Sequence, residues 1–178
     1  AIMQQRYHRK RAFQRSAISS TLALLLCAPL SWASEEAASE LSMPQTVGDT
    51  QFASERDAVM WRQQELKDIE SLVRQLRFDL VNNQDVEAAA PRLTELQERA
   101  TAQQLLPAFI AGTHGGGSEA RASIWEEWSE FAAGFTDLED KITQLVEVAE
   151  QGDTRDTARA LSEVGASCKS CHRAYRYD

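Results

Sequence analysis

Eight residues, Ile124, Trp128, Phe131, Phe135, Leu138, Ile142, Leu145 and Ala149, recur at alternating steps of four and three without a miss. This is the rhythm of a single apolar stripe along a helix. A strand cannot bury such a set, because its side chains change face at every residue. A helix with one apolar stripe must in turn find other elements to cover it. Three more segments carry related patterns. Val59, Leu66, Ile69, Val73, Leu76 and Leu80 form a first stripe, with Arg62 as its polar odd member, and Asn82-Asn83 ends it. A second helix is expected from about Val86 to Gln104, with Ala89, Leu93, Leu96 and Ala100 inward. Pro91 should lie in its first turn, where a missing amide costs little. The fourth stripe is Thr157, Leu161, Val164, Cys168, Cys171 and Tyr175. Between the third and fourth, Gly152 can take a left-handed helix end and Asp153 can cap the next start. No segment alternates like a strand. The expected fold is all-α, an antiparallel four-helix bundle over residues 51–178.

The connection at 106–118 holds Pro107, Gly112 and the run Gly115-Gly116-Gly117. It lacks the lysine and hydroxyl of a phosphate-binding loop and follows no strand, so it reads as a flexible connection.

The fourth stripe ends in Cys168-Lys169-Ser170-Cys171-His172, the C-x-x-C-H pattern that attaches a c-type haem. Two thiols add across the porphyrin vinyl groups, and the adjacent histidine becomes an axial ligand of the iron. Three residues are nearly one helical turn, so both sulfurs share a face. Both cysteines fall on the core-facing stripe, which would place the macrocycle in the bundle core. Two other readings compete. A thiol–disulfide site usually opens a helix after a strand, and zinc needs four ligands. His114, the other histidine beyond residue 33, sits in the glycine loop.

Residues 1–33 read as a secretory signal peptide. Arg6, Arg9, Lys10, Arg11 and Arg15 precede a largely apolar stretch from Ala17 to Leu30, and Ser31-Trp32-Ala33 offers a cleavage site after Ala33. The apolar run is too short to span a membrane, which takes about 20 residues. An uncleaved anchor is the alternative. A lipoprotein site at Cys27 is disfavoured by Leu26 before it. Residues 34–50 are polar and small, a flexible leader. Removing 1–33 takes away five of the 19 basic residues and none of the 27 acidic ones, leaving a formal charge of −13. Such a chain is not expected to bind nucleic acid or an anionic membrane. Redox partner proteins should be basic or weakly charged. Attachment of c-type haem outside the cytoplasm fits export to the periplasm.

The residues from Val164 to Arg176, Val-Gly-Ala-Ser-Cys-Lys-Ser-Cys-His-Arg-Ala-Tyr-Arg, resemble the haem-binding helix of the class II c-type cytochromes, the cytochromes c′. Gln51-Phe52-Ala53 and Asp57-Ala58-Val59-Met60-Trp61-Arg62 resemble the start of that family's first helix, and Ile124-Trp125 the opening of its third. The similarity covers Gln51 to the C-terminus. It implies one covalent haem c per chain, held by Cys168 and Cys171 with His172 on the iron. Leu66 matches the position over the opposite face of the haem, where six-coordinate relatives carry a methionine. Arg62 matches an arginine near the propionates, and Arg176 a basic residue near the proximal histidine. Leu106-Pro107-Ala108 departs from the family's Leu-Pro-Trp.

Leucine cannot ligate, so the resemblance implies five-coordinate, high-spin iron beneath an aliphatic lid. Neutral diatomics such as NO and CO suit that site; anions do not. Bound O₂ would find no hydrogen-bond donor in Leu66. The expected function is a periplasmic haem protein that binds NO or CO and cycles by one electron, with NO protection as a role. The alternative is a plain electron carrier. No catalytic acid, base or nucleophile is evident, so no enzymatic activity is expected. Relatives pair through their first two helices, and a homodimer is expected here.

Overall fold

The computed structural model describes residues 42–177. The signal peptide read at 1–33, and residues 34–41 of the leader, lie outside them.

The first long helix, α1, spans Glu55–Arg77. It starts there because the Ser54 hydroxyl accepts from the Asp57 amide at 3.1 Å, and because Glu55 and Asp57 put negative charge where unpaired amides point. Ala58, Arg62, Ile69, Leu72 and Leu76 are buried along it, with Leu66 and Val73 half-buried against the core. The helix runs into a π-helical turn, Phe78–Asn83, so the chain stays helical up to the expected stop.

The second, α2, spans Val86–Arg99 and is capped by Asp85, whose side chain accepts from the Ala88 amide at 2.9 Å. Pro91 is its sixth residue, beyond the first turn where the sequence reading put it. Pro91 and Glu87, whose carbonyl lacks its usual partner, both lie on the exposed side, so the missing bond is not buried. The helix also stops five residues earlier than expected. Thr101 starts a fresh turn at Ala102–Leu105 by accepting from the Gln104 amide at 3.2 Å, and a 3-10 turn, Leu106–Ala108, follows. Polar contacts lace α1 to α2. Arg99 grips Glu65 at 2.6 and 2.9 Å and Asp68 at 3.1 Å, while Arg92 meets Asp79 at 2.6 Å.

The third stripe is shared between two pieces. A single turn, Ser123–Glu126, carries Ile124; the backbone breaks at Glu127, and α3 runs from Trp128 to Glu150. Phe131, Phe135, Ile142, Leu145 and Ala149 are buried, and Trp128 and Leu138 half-buried. Gly152, with φ of 77°, ends α3 in the left-handed region and donates to the Ala149 carbonyl at 3.0 Å. Asp153 then caps α4, Thr154–Tyr175, by accepting from the Asp156 amide at 2.9 Å. The result is an antiparallel four-helix bundle. Its core runs from Leu72, Leu76 and Leu80 through Leu93 and Leu96 to Ile142, Leu145, Leu161 and Val164. There is no strand among the described residues, and none of their helices is long and apolar enough to cross a membrane.

Residues 42–50, expected as flexible leader, fold onto this frame. Pro44 is buried and its carbonyl accepts from the Ala111 amide at 2.8 Å. A 3-10 turn at Val47–Asp49 follows, with the Asp49 carboxylate accepting from the Thr46 amide at 2.8 Å. Small polar residues look flexible in sequence, but here they cap one another.

Candidate functional site

The end of α4 holds the two cysteines. Cys168 and Cys171 are free thiols, both half-buried, and Cys171 packs against the core together with Tyr175. Burial pushes the Cys171 thiol up to about 11 and raises that of Cys168. A thiol–disulfide site needs the opposite shift, toward thiolate at neutral pH. Among the described residues no three His, Cys, Asp or Glu side chains converge to hold a metal ion unaided, which also removes the zinc reading. Cys171 opens onto a cleft of about 400 Å³ between α3 and α4, lined also by Phe131, Gly134, Lys141, Ala174 and Tyr175.

His172 is exposed. Partial burial of its ring, and then the positive charge of Arg176, pull its pKa below the ordinary value. The imidazole is therefore neutral at pH 7, with a lone pair free for a metal. Arg176 lies close by, one turn further along the chain. Its amide donates to the His172 carbonyl at 3.0 Å, and its guanidinium pairs with Glu119 at 2.9 Å.

Across from α4 stands α1. The carboxylate of Glu70 acts on both Cys168 and His172. Leu66, one turn before Glu70, is half-buried against the core. Leu66 does not line the α3–α4 cleft.

Arg62 is enclosed by the 108–118 loop. It is 2 % exposed, and its guanidinium is spent on protein oxygens. It donates to the Ala108 carbonyl at 2.9 Å, the Thr113 hydroxyl at 2.7 Å, the Thr113 carbonyl at 2.6 Å and the Ser118 hydroxyl at 2.7 Å. Its charged carbon lies 4.8 Å from the Phe109 ring centre and 5.8 Å from that of Trp125. No carboxylate pairs with it among the described residues. Burial lowers its pKa to about 10, so it remains a cation at neutral pH. The glycine run makes this possible. Gly115, Gly116 and Gly117 all have positive φ, a path that favours glycine, and the turn they form presents Ser118 to Arg62.

Sequence reasoning missed the aromatic hub at Phe131. Its ring lies 4.9 Å from Phe109, 5.2 Å from Phe135 and 5.3 Å from Tyr175, centre to centre. Phe131, Phe135 and Tyr175 lie on the expected stripes, but their meeting with Phe109 at one point depends on the loop path. It also missed Arg121, whose Nε is buried without a partner. An isolated arginine next to a glycine loop gave no signal.

These residues suit a haem. Two half-buried thiols share a helix face, a neutral imidazole follows them, and a cleft of mixed lining, with Phe131, Ala174 and Tyr175 beside Glu130, Asp137 and Lys141, opens next to Cys171. The orphaned Arg121 Nε, beside the end of α4, is a donor that a propionate-bearing group would complement.

Comparison with known proteins agrees. The family described as Cytochrome C' matches residues 57–176. Cytochrome c′ from Alcaligenes xylosoxydans xylosoxydans is 35% identical over 127 residues, covering 71% of this chain and 98% of that protein. Cytochrome c′ from Rhodospirillum rubrum is 33% identical over 94 residues, covering 51% and 64%. Among solved structures, recombinant native cytochrome c prime from Alcaligenes xylosoxidans superposes with a TM-score of 0.64 at 32% identity, over 72% of this chain and all of that one. Variants of the same protein have been solved as a nitrosyl complex and with carbon monoxide bound, each at the same TM-score and coverage and at 32% and 31% identity. Bundle, thiol pair and histidine together define a helical c-type haem protein. The chain belongs to the cytochrome c′ family, whose cofactor is a c-type haem.

Proposed function

We propose that this chain is an exported periplasmic haem protein that binds NO and CO and cycles by one electron. Cys168 and Cys171 would hold one haem covalently, His172 would supply a ligand to its iron, and Leu66 would be an apolar neighbour with no ligand to offer. Haem would supply a redox-active iron able to take a diatomic gas. The chain's own residues set the selectivity. Leu66 offers no charge, no lone pair for the metal and no hydrogen-bond donor, so it favours small neutral ligands and gives no help to bound O₂. His172 is neutral and carried on the same helix as the thiols, so it stays beside the tethered group. Arg62 is committed to the 108–118 loop and supports the site by fixing that loop.

The observation that carries this reading is the pair of free, half-buried thiols directly before an accessible histidine at the end of α4. The nitrosyl and carbon monoxide complexes of the Alcaligenes relative support the choice of gases.

An optical spectrum of the mature protein tests it. Ferric and ferrous high-spin, five-coordinate signatures are expected, and a low-spin spectrum with a thioether band would overturn the reading. Leu66→Ala should speed CO association by about tenfold or more, the size of a removed steric barrier of about 1.4 kcal/mol. An unchanged rate would remove Leu66 from the pocket.

A further inference from the structure

The last carbonyls of a helix have no partner within it. At the end of α4 they are met by one short segment, residues 119–123. The Arg121 amide donates to the Tyr175 carbonyl at 2.9 Å, and the Tyr177 amide donates back to the Glu119 carbonyl at 2.8 Å. Ala120 and Arg176 thus form an isolated antiparallel bridge. Side chains tighten it. Glu119 pairs with the Arg176 guanidinium at 2.9 Å. The Arg121 guanidinium reaches the Arg173 carbonyl at 3.4 Å and lies over the Tyr177 ring, 5.3 Å from its centre. Arg173 is the residue directly after His172, and the Arg176 amide bonds to the His172 carbonyl itself. The segment therefore grips the helical turn that carries the histidine.

The same segment is tied to α1. The Ser118 hydroxyl accepts from Arg62 at 2.7 Å and from the Ala120 amide at 3.1 Å. Arg62 is one turn before Leu66. A chain of short polar contacts thus runs from α1, through Ser118 and Ala120, to the turn holding His172.

We propose that residues 119–123 act as a strap that positions His172, with Glu119 and Arg121 as positioning residues. The inference rests on His172 being the iron ligand. The strap limits how far the imidazole can swing or withdraw, and so sets the strength of the bond on the proximal side. Its anchorage through Ser118 makes that setting answer to movement of α1, where Leu66 must yield to an incoming gas.

The test uses the haem-loaded protein with Glu119→Ala and Arg121→Ala combined, neither of which touches a thiol or the imidazole. Two quantities are read: the iron–histidine stretching band in the ferrous state, and hydrogen exchange at the amides of Arg176 and Tyr177. The strap predicts exchange about tenfold faster and an iron–histidine band shifted to lower frequency and broadened. Faster exchange with an unmoved band would reduce the segment to a structural tie and overturn the proposal. Unchanged exchange would overturn it too. If the double variant fails to mature, Glu119→Ala alone is read the same way, with Glu119→Asp expected to restore part of the parental band. Absence of any iron–histidine band in the parent protein would instead sink the assignment of His172, and the two failures are thereby distinguished.

Discussion

Two polar regions of this molecule are built on opposite plans. Around Arg62 the charge is enclosed, and four short hydrogen bonds to loop oxygens occupy four of its five donors. At the end of α4 the reactive groups are presented: two half-buried thiols, that of Cys171 on the flank of a cleft, and an exposed imidazole. The contrast separates scaffold from chemistry. A buried cation that spends itself on backbone and hydroxyl oxygens locks one loop path, since breaking any contact strands a partner without water. Groups left free at a helix end are available to react.

That contrast can be broken most sharply at the thiols. Replacing both Cys168 and Cys171 by alanine should abolish covalent haem attachment, read as loss of the haem mass from the denatured chain and of its colour after acid extraction. Retained covalent haem would mean that the presented groups are not the reactive ones. Next in size is Arg62→Leu. It removes the charge and takes their arginine donor from the Ala108 and Thr113 carbonyls and from the Thr113 and Ser118 hydroxyls, so stability to denaturant should fall by about 3–5 kcal/mol. Arg62→Lys keeps the charge but loses the planar fork, and should cost less. A loss below about 1 kcal/mol for the leucine variant would show that the enclosed plan is not scaffold at all.

Smaller effects sharpen the same distinction. Arg99 holds Glu65, Asp68 and Glu95 where α1 meets α2, half open to solvent. Arg99→Ala should cost about 1 kcal/mol, and less in high salt, because exposed networks are screened. The smallest effect concerns Asp49. Bonds first from the Thr46 backbone and then from its hydroxyl hold this carboxyl below its ordinary value of 3.8. A depressed carboxylate stabilises the fold above its unfolded pKa and loses that contribution as pH falls through the folded value. An NMR titration of Asp49 should therefore have its midpoint below 3.8, with the 47–49 turn loosening over the same range. A midpoint at 3.8 or above would return residues 42–50 to the flexible leader expected from their composition.

Much of the fold was legible because it is local. The four-and-three rhythm from Phe131 to Ala149, the Gly152-Asp153 stop and restart, and the C-x-x-C-H spacing all concern residues within a turn or two of each other. What escaped is long-range. Arg62 finds oxygens 46 to 56 residues further along the chain, and nothing around it in sequence names them. It looked like an arginine waiting for an external anion. The glycine run looked like slack, yet its three left-handed residues set the turn that delivers Ser118. Pro91 was placed one turn too early because a proline in the second turn is tolerated when its orphaned carbonyl stays wet. The strap at 119–123 consists of ordinary residues whose role exists only once α4 has been laid beside them.

Gly152 has a wider consequence for how the molecule is made. Its tight reversal joins the two longest-matched helices through only a few residues, so closing that hairpin costs less chain entropy than any contact linking α1 to α4. The C-terminal half can assemble before the N-terminal half docks. Cys168 and Cys171 lie on the second arm of that hairpin.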